Sequence, residues 1–235
     1  MKILSVDSSA KSASIAIYDE KIISEFFINT NLTHSQTLVP MIDSALKNAS
    51  LSVDDIDCFA VNVGPGSFTG VRIGVSAVKG IAYAKDKPCV AVSTLESIAY
   101  NFTMFENAVI CACMDARRNQ FYNALFRIEN GIPQRLCEDR AVSCEDLSDE
   151  IKDFESVIIA GDGAELFYNS AKDMLHNIIL SSDNLRYQRA SSVASCAKRK
   201  YDNNEGIKAE ALMPSYLRLS QAEREYKNKQ GDNTK

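Results

Sequence analysis

The chain has 235 residues, 46% of them hydrophobic and 24% charged, the balance of a packed globular protein rather than a disordered one. Its 26 Lys and Arg stand against 31 Asp and Glu, a net charge of −5, which argues against a solitary nucleic-acid binder relying on its own positive face. The length suits one large domain or two small ones.

The first stretch alternates apolar and polar residues in the strand manner: KILSVDS, SASIAIYD and KIISEFFI, with turns at Ser9–Lys11 and Asp19–Glu20. This predicts an antiparallel three-strand meander. A helix is expected over about Ser35–Asn48, where Leu38, Ile42, Ala45 and Ala49 fall at helical spacing. Pro40 must lie near its first turn or kink it. A strand (CFAVNV), a glycine-rich turn (GPGSFTG), a helix over about Thr69–Lys85, a buried strand (PCVAVS) and a helix from about Thr94 complete this half.

The pattern then restarts. From Asn107 the residues read strand, Asp-containing turn, strand, Asn-Gly turn, strand, and Asp115 ends its strand as Asp7 ends the earlier one. A helix over about Cys144–Asp153, a strand (SVIIAGDG) and further helices follow, one over about Ser191–Tyr201. The repeated order predicts a duplicated α/β fold. One lobe is expected over 1–104, with about 203–219 a candidate return to it; the second covers 105–202, and 220–235 form a polar tail.

No apolar run approaches the roughly 18–20 residues that span a bilayer, and MKILSVDSSA meets Asp7 too early for a secretory leader. A cytoplasmic protein without membrane contact is expected. The seven Cys are scattered, with no CxxC pair, and read as reduced thiols; Cys111 and Cys113 share one strand face and read as packing. With only His34 and His176 besides, no metal site is expected in this chain.

Gly64–Gly70 is the most informative segment. A strand-to-helix turn of this kind can hold an anion on backbone N–H groups, or can simply allow close packing. Asp7, Ser8, Gly64, Gly66 and Ser67 are thus weak candidate cofactor contacts, with capping of its own turn the better reading of Asp7 from residue type alone. The segment lacks the Lys of a phosphate loop, and Ser67 lacks the second glycine of a nucleophile elbow. In the following helix Gly70, Gly74, Ala77, Ile81 and Ala84 form one stripe, and Val71, Val75, Val78 and Ala82 a second. Interior Gly74 and Gly80 each cost about 1 kcal/mol against Ala, which close approach of another backbone can offset. Two apolar stripes exceed one buried face; close packing on the chain's own sheet accounts for one, and either further packing within the chain or a partner helix accounts for the second.

ILSVDSS, HSQTLVP, GPGSFTGVRIGVSAVKGIA, VSTLESIA, DARRNQFY and PSYLR occur in this order, and the chain resembles the bacterial TsaB (YeaZ) family from residue 1 to about 218. The resemblance implies an actin-like fold of two lobes (the sugar kinase/Hsp70/actin superfamily). It implies a non-catalytic subunit that pairs with the catalytic paralogue TsaD. With the ATPase TsaE, the assembly places threonylcarbamoyl on adenosine 37 of tRNAs reading codons that start with A. ATP and a catalytic metal are implied for that complex, tRNA contact through it, and no cofactor in this chain. The paralogue's metal-binding His pair, in an NHxxGH-like stretch, falls here on Ser93–Tyr100, with Thr94 and Ile98 at the two positions. Docking of TsaD, and a homodimer in its absence, are expected at Leu38, Met41, Ile42, Ala45, Val71, Gly74, Val75 and Val78. An ATP-dependent small-molecule kinase of the same fold is the alternative; a peptidase lacks any nucleophile–base pattern.

Overall fold

A computed structural model describes residues 1–30 and 32–218; the tail expected at 220–235 lies outside them. Strands β1 (Lys2–Asp7), β2 (Ala13–Asp19) and β3 (Lys21–Ile28) form the expected meander. Helix α1 (His34–Asn48) follows, with Pro40 exposed inside it, so the hydrogen bond its missing N–H forfeits lies on the solvent side. Then come β4 (Cys58–Gly64), α2 (Phe68–Ala84), β5 (Cys89–Ser93) and the short α3 (Thr94–Ala99). The sheet order is β3-β2-β1-β4-β5, with β1, β4 and β5 parallel.

The second half repeats this plan. Its strands are β6 (Val109–Asp115), β7 (Gln120–Glu129), β8 (Ile132–Arg135), β9 (Arg140–Ser143), β10 (Val157–Ala160) and β11 (Ile178–Leu180). Its helices are α4 (Cys144–Ile151), α5 (Ala164–Ala171), α6 (Asp183–Arg186) and α7 (Ala190–Asp202). The order is β11-β10-β6-β7-β8, and β9, which the residue pattern does not announce, also pairs with β7.

Both faces of each sheet are covered, which is why β1 and β4 are buried almost throughout. On one face of the first sheet, Leu4, Val6, Phe59 and Val61 pack against α1 and α2. On the other, Ile3, Cys58, Ala60, Val90 and Val92 pack against Val193, Cys196 and Ala197 of α7. Helix α3 makes the reciprocal move: Leu95, Ile98 and Ala99 pack on Ile110, Ala112 and Met114 of the second sheet. This corrects the expected second lobe of 105–202, because α7 needs the first sheet's apolar face and is covered there. The segment beyond α7 also lies on the first lobe: Ile207 and Cys89 exchange backbone hydrogen bonds of 2.8 Å, and Ser215 N–H donates to Val63 O at 2.7 Å.

The expected partner-facing residues need a second correction. Leu38, Met41, Ile42, Ala45, Val71, Gly74, Val75 and Val78 are all buried within this chain. Val71, Val75, Val78 and Ala82 lie in one buried core with α1 and the sheet, while the other stripe runs from Gly70 and Gly74, pressed on the β1–β2 turn, through half-buried Ala77 and Ile81 to exposed Ala84. Among the described residues, no helix is long and apolar enough to cross a membrane.

Candidate functional site

Parallel strands β1 and β4, and β6 and β10, deliver their C-terminal turns to one place between the lobes, the usual position for a ligand in such sheets. These turns and the C-terminal strap around Ser215–Arg218 enclose a cleft of about 490 Å³. Asp7 lies behind it, fully buried. Its Oδ1 accepts Ser9 Oγ–H at 2.6 Å and Asn62 Nδ2–H at 2.7 Å. Its Oδ2 has no partner among the described residues, and burial raises the carboxyl above its ordinary range despite those bonds.

The glycine turn is closed by the β1–β2 turn. A Cβ on Gly66 would stand 2.3 Å from Ser9 O, and one on Gly70 would stand 2.2 Å from Ser8 O. Ser67 N–H donates to Ser9 O at 2.7 Å, while Ser67 Oγ caps α2 by accepting Gly70 N–H at 3.2 Å. Gly64, at φ +116, admits Ser215 O to within 2.5 Å of where a Cβ would stand. So Asp7, Ser8, Gly64, Gly66 and Ser67 are gathered, and most of their polar groups already serve one another. Gly74 belongs here too: a Cβ would meet Ser8 Oγ at 2.4 Å, and that hydroxyl donates to Gly70 O at 2.8 Å.

The second lobe contributes Asp115 and Asp162 to the cleft. Asp162 keeps part of its surface open to solvent. Burial, then the charges of Asp115 and Asp7, nonetheless push its carboxyl up to about 7. The β6–β7 turn is strained: Arg117, Arg118 and Asn119 have φ of 64, 56 and 56°, where side chains are disfavoured by roughly 1–2 kcal/mol per residue. Asp115 Oδ1 steadies the turn by accepting Arg117 N–H at 2.7 Å. The strap closes the cleft from outside. Tyr216 stacks on Phe68 at 4.8 Å, Arg72 Nε donates to its hydroxyl at 2.6 Å, and Arg218 Nη1 donates to Ala116 O across the lobes at 2.9 Å. Residue spacing alone did not single out Lys11, Arg218 or Tyr216, since their meeting depends on a strap more than 90 residues away in sequence from the turns it touches.

A second surface is the outer side of α1 and α2. A shallow groove of about 500 Å³ is lined by Ser35, Phe68, Thr69, Arg72, Ile73 and Ser76. Val39, 57% exposed, and Tyr83, 64% exposed, are apolar or aromatic positions on the same helices. Elsewhere, Thr94 and Ile98 are both fully buried, Ile98 in an apolar cluster. Burial raises the thiols, Cys58 to about 12 and Cys89 to about 11, consistent with inert packing residues. Among the described residues no three His, Cys, Asp or Glu side chains gather as metal ligands.

The fold is the actin-like duplication, and it places the chain in the wider class described by the family model TsaD: tRNA N6-adenosine threonylcarbamoyltransferase, which matches residues 21–226. A structural match to component A of (R)-2-hydroxyglutaryl-CoA dehydratase from Acidaminococcus fermentans (12% identity, TM-score 0.55, 86% of this chain and 99% of that one) bears on the fold alone. Within the class, the Bacillus subtilis (strain 168) tRNA threonylcarbamoyladenosine biosynthesis protein TsaB is 32% identical over 95% of this chain and 96% of its own length. Its Escherichia coli (strain K12) counterpart is 27% identical over 93% and 95%. YeaZ from Pseudomonas aeruginosa superposes with a TM-score of 0.77 at 25% identity, covering 92% of this chain and 99% of that one. The chain belongs to the TsaB (YeaZ) family.

Proposed function

We propose that this chain acts in the cytoplasm as a non-catalytic subunit in the formation of threonylcarbamoyladenosine at adenosine 37 of tRNAs reading codons that start with A. It pairs with a catalytic TsaD homologue and activates it, and a TsaE-type ATPase completes the assembly. The observation that carries this reading is the environment of α3. The positions where the paralogue places its metal-binding His pair are Thr94 and Ile98, both fully buried, Ile98 against the second sheet. An alkyl side chain has no donor atom and a single neutral hydroxyl is a weak ligand, so these two positions cannot replace a pair of imidazoles at a divalent metal. ATP and the metal belong in this reading to the partner subunits.

The outer faces of α1 and α2 are the surface we assign to the partner, through Val39, Arg72, Ile73 and Ser76 rather than the buried residues beneath them. Exposed apolar surface there favours self-association when the partner is absent. The kinase alternative has less support, because the Ser67 N–H that would face a phosphate already donates to Ser9 O. The test is reconstitution: tRNA, threonylcarbamoyl-adenylate, a TsaD homologue and TsaE, with and without this chain. Modification that requires both this chain and the TsaD homologue is expected. Modification by this chain alone, or undiminished modification without it, refutes the reading.

A further inference from the structure

We propose that the mouth of the interlobe cleft is a contact surface for the phosphate backbone of RNA, with Lys11 from the first lobe, Arg117 and Arg118 from the second, and Arg218 from the strap. The inference rests on the role in tRNA modification proposed above and adds that this chain touches the nucleic acid itself.

Cations converge here from three separate segments, beside the carboxylates of Asp115 and Asp162. Lys11, Arg117 and Arg218 line the same cleft, and Arg118 is exposed beside Arg117. In a chain of net charge −5, composition alone does not produce such a concentration. These charges are also little neutralised. Some exposed cations elsewhere have a carboxylate at hand, as Lys47 has Asp43 at 2.6 Å and Lys85 has Asp54 at 2.6 Å. Among the described residues Lys11, Arg118 and Arg218 form no ion pair, and Arg117 has only a 3.6 Å contact to Asp115.

The backbone of the arginine pair is also held in place. Three consecutive left-handed residues, Arg117, Arg118 and Asn119, persist because Asp115 binds the turn from within and Arg218 grips Ala116 O from without. Strain that neighbours over-determine in this way clusters at ligand sites. Its consequence here is a backbone that presents two adjacent arginines at the rim, Arg117 with its side chain 87% exposed. Two carboxylates, Asp115 and Asp162, stand in the same cleft against the four cations, so the rim keeps an excess of positive charge. Cations spread over a rim suit a polyanion better than a single phosphate, because each contact releases condensed counterions.

The test uses the purified complex of this chain with its cognate TsaD homologue, an unmodified tRNA transcript as probe, and fluorescence anisotropy across a salt series. Arg117→Glu/Arg118→Glu should weaken binding about tenfold or more and flatten the salt dependence by about one to two in the log–log slope. Arg117→Gln/Arg118→Gln, gentler on the turn, should move both in the same direction. Lys152→Glu, remote from the cleft lining, should change neither. Circular dichroism and co-purification with the TsaD homologue establish that each variant is folded and assembled. An unchanged Kd and slope in either folded double variant overturns the inference, as does a wild-type complex that binds no tRNA. ATP binding by this chain that the same variants abolish, with RNA binding intact, also overturns it and assigns the rim to a free nucleotide. If the wild-type complex forms threonylcarbamoyladenosine and the variants bind RNA normally, only this inference fails. If no modification depends on the chain, the proposed function fails instead.

Discussion

Gly70 and Gly80 occupy the same helix, yet the structure gives them opposite uses. A Cβ at Gly70 would lie 2.2 Å from Ser8 O, a backbone atom that cannot move aside, whereas one at Gly80 would meet nothing within 4 Å. Gly80→Ala should therefore stabilise the isolated chain by roughly 0.5–1 kcal/mol, and Gly70→Ala should cost about 2 kcal/mol or more. Thermal melts of the two variants decide it; similar shifts of one sign would mean that the turn does not press on α2. Asp7 provides a second residue-level test. Its carboxyl is raised in the folded protein, so the folded state favours the protonated form. Its ionisation therefore costs stability above the unfolded carboxyl range, and the cost is relieved as pH falls through the raised value. Asp7→Asn keeps the acceptor for Ser9 and Asn62 and supplies an N–H where Oδ2 has no partner, near the orphaned Ser14 Oγ paired opposite. The variant should melt a few degrees higher at pH 7–8, on the order of 1 kcal/mol for a chain of this size. The advantage should shrink as pH is lowered toward about 4, near the unfolded carboxyl value. An advantage that grows on acidification would reverse the sign argued here.

At the scale of elements, strands and helices were legible in the residue pattern because periodicity reports burial, and the first meander, α1, β4, α2 and the β6–β8 meander all fall where spacing puts them. Orientation was not legible. Helix α2 has two apolar stripes, and periodicity cannot say whether the second meets a neighbouring helix of the same chain or of another; here it meets α1. Strand β9, only four residues long with an arginine and a serine at its ends, has no alternation strong enough to announce it. At the site, GPGSFTG was legible as a turn of consequence, but the β1–β2 carbonyls that fill it were not. The same distinction separates two kinds of substitution. Val75→Glu or Leu38→Glu places an uncompensated charge in the core, at positions 3% and 1% exposed, and should cost more than about 3 kcal/mol and unfold the chain. Val39→Glu and Ser76→Glu, at exposed positions of the outer face, should leave the melt within about 1 kcal/mol and instead weaken both self-association and pairing with the TsaD homologue. Size-exclusion mass with circular dichroism separates these outcomes. Folded outer-face variants that still form both assemblies would remove α1 and α2 as the docking surface.

For the whole molecule, the exchange of helices decides how the two lobes hold together. Each sheet has an inner face that its own half leaves uncovered: α3, continuing from the first sheet, covers the second, and α7, following the second sheet, covers the first. The joint is reinforced by polar contacts. Ser5 Oγ donates to Ala190 O at 2.7 Å, and Glu25 of β3 accepts from Arg189 Nη2 at 2.9 Å and from Ser191 N–H at 3.1 Å at the start of α7. Lobes built this way are not independent domains, since either one alone exposes an apolar sheet face in water. A chain ending at residue 189 would lose α7 and bare Ile3, Cys58, Ala60, Val90 and Val92, although it keeps every strand of both sheets. We expect it to unfold or aggregate rather than retain a native first lobe, and the full chain to unfold in one cooperative step. Urea titration followed by far-ultraviolet dichroism and tyrosine fluorescence should give coincident transitions, and hydrogen exchange should protect β1 and β5 together with β6. Two separated transitions, or a truncated chain with native-like protection in β1 and β5, would show that the lobes fold on their own and that α7 only decorates the first sheet.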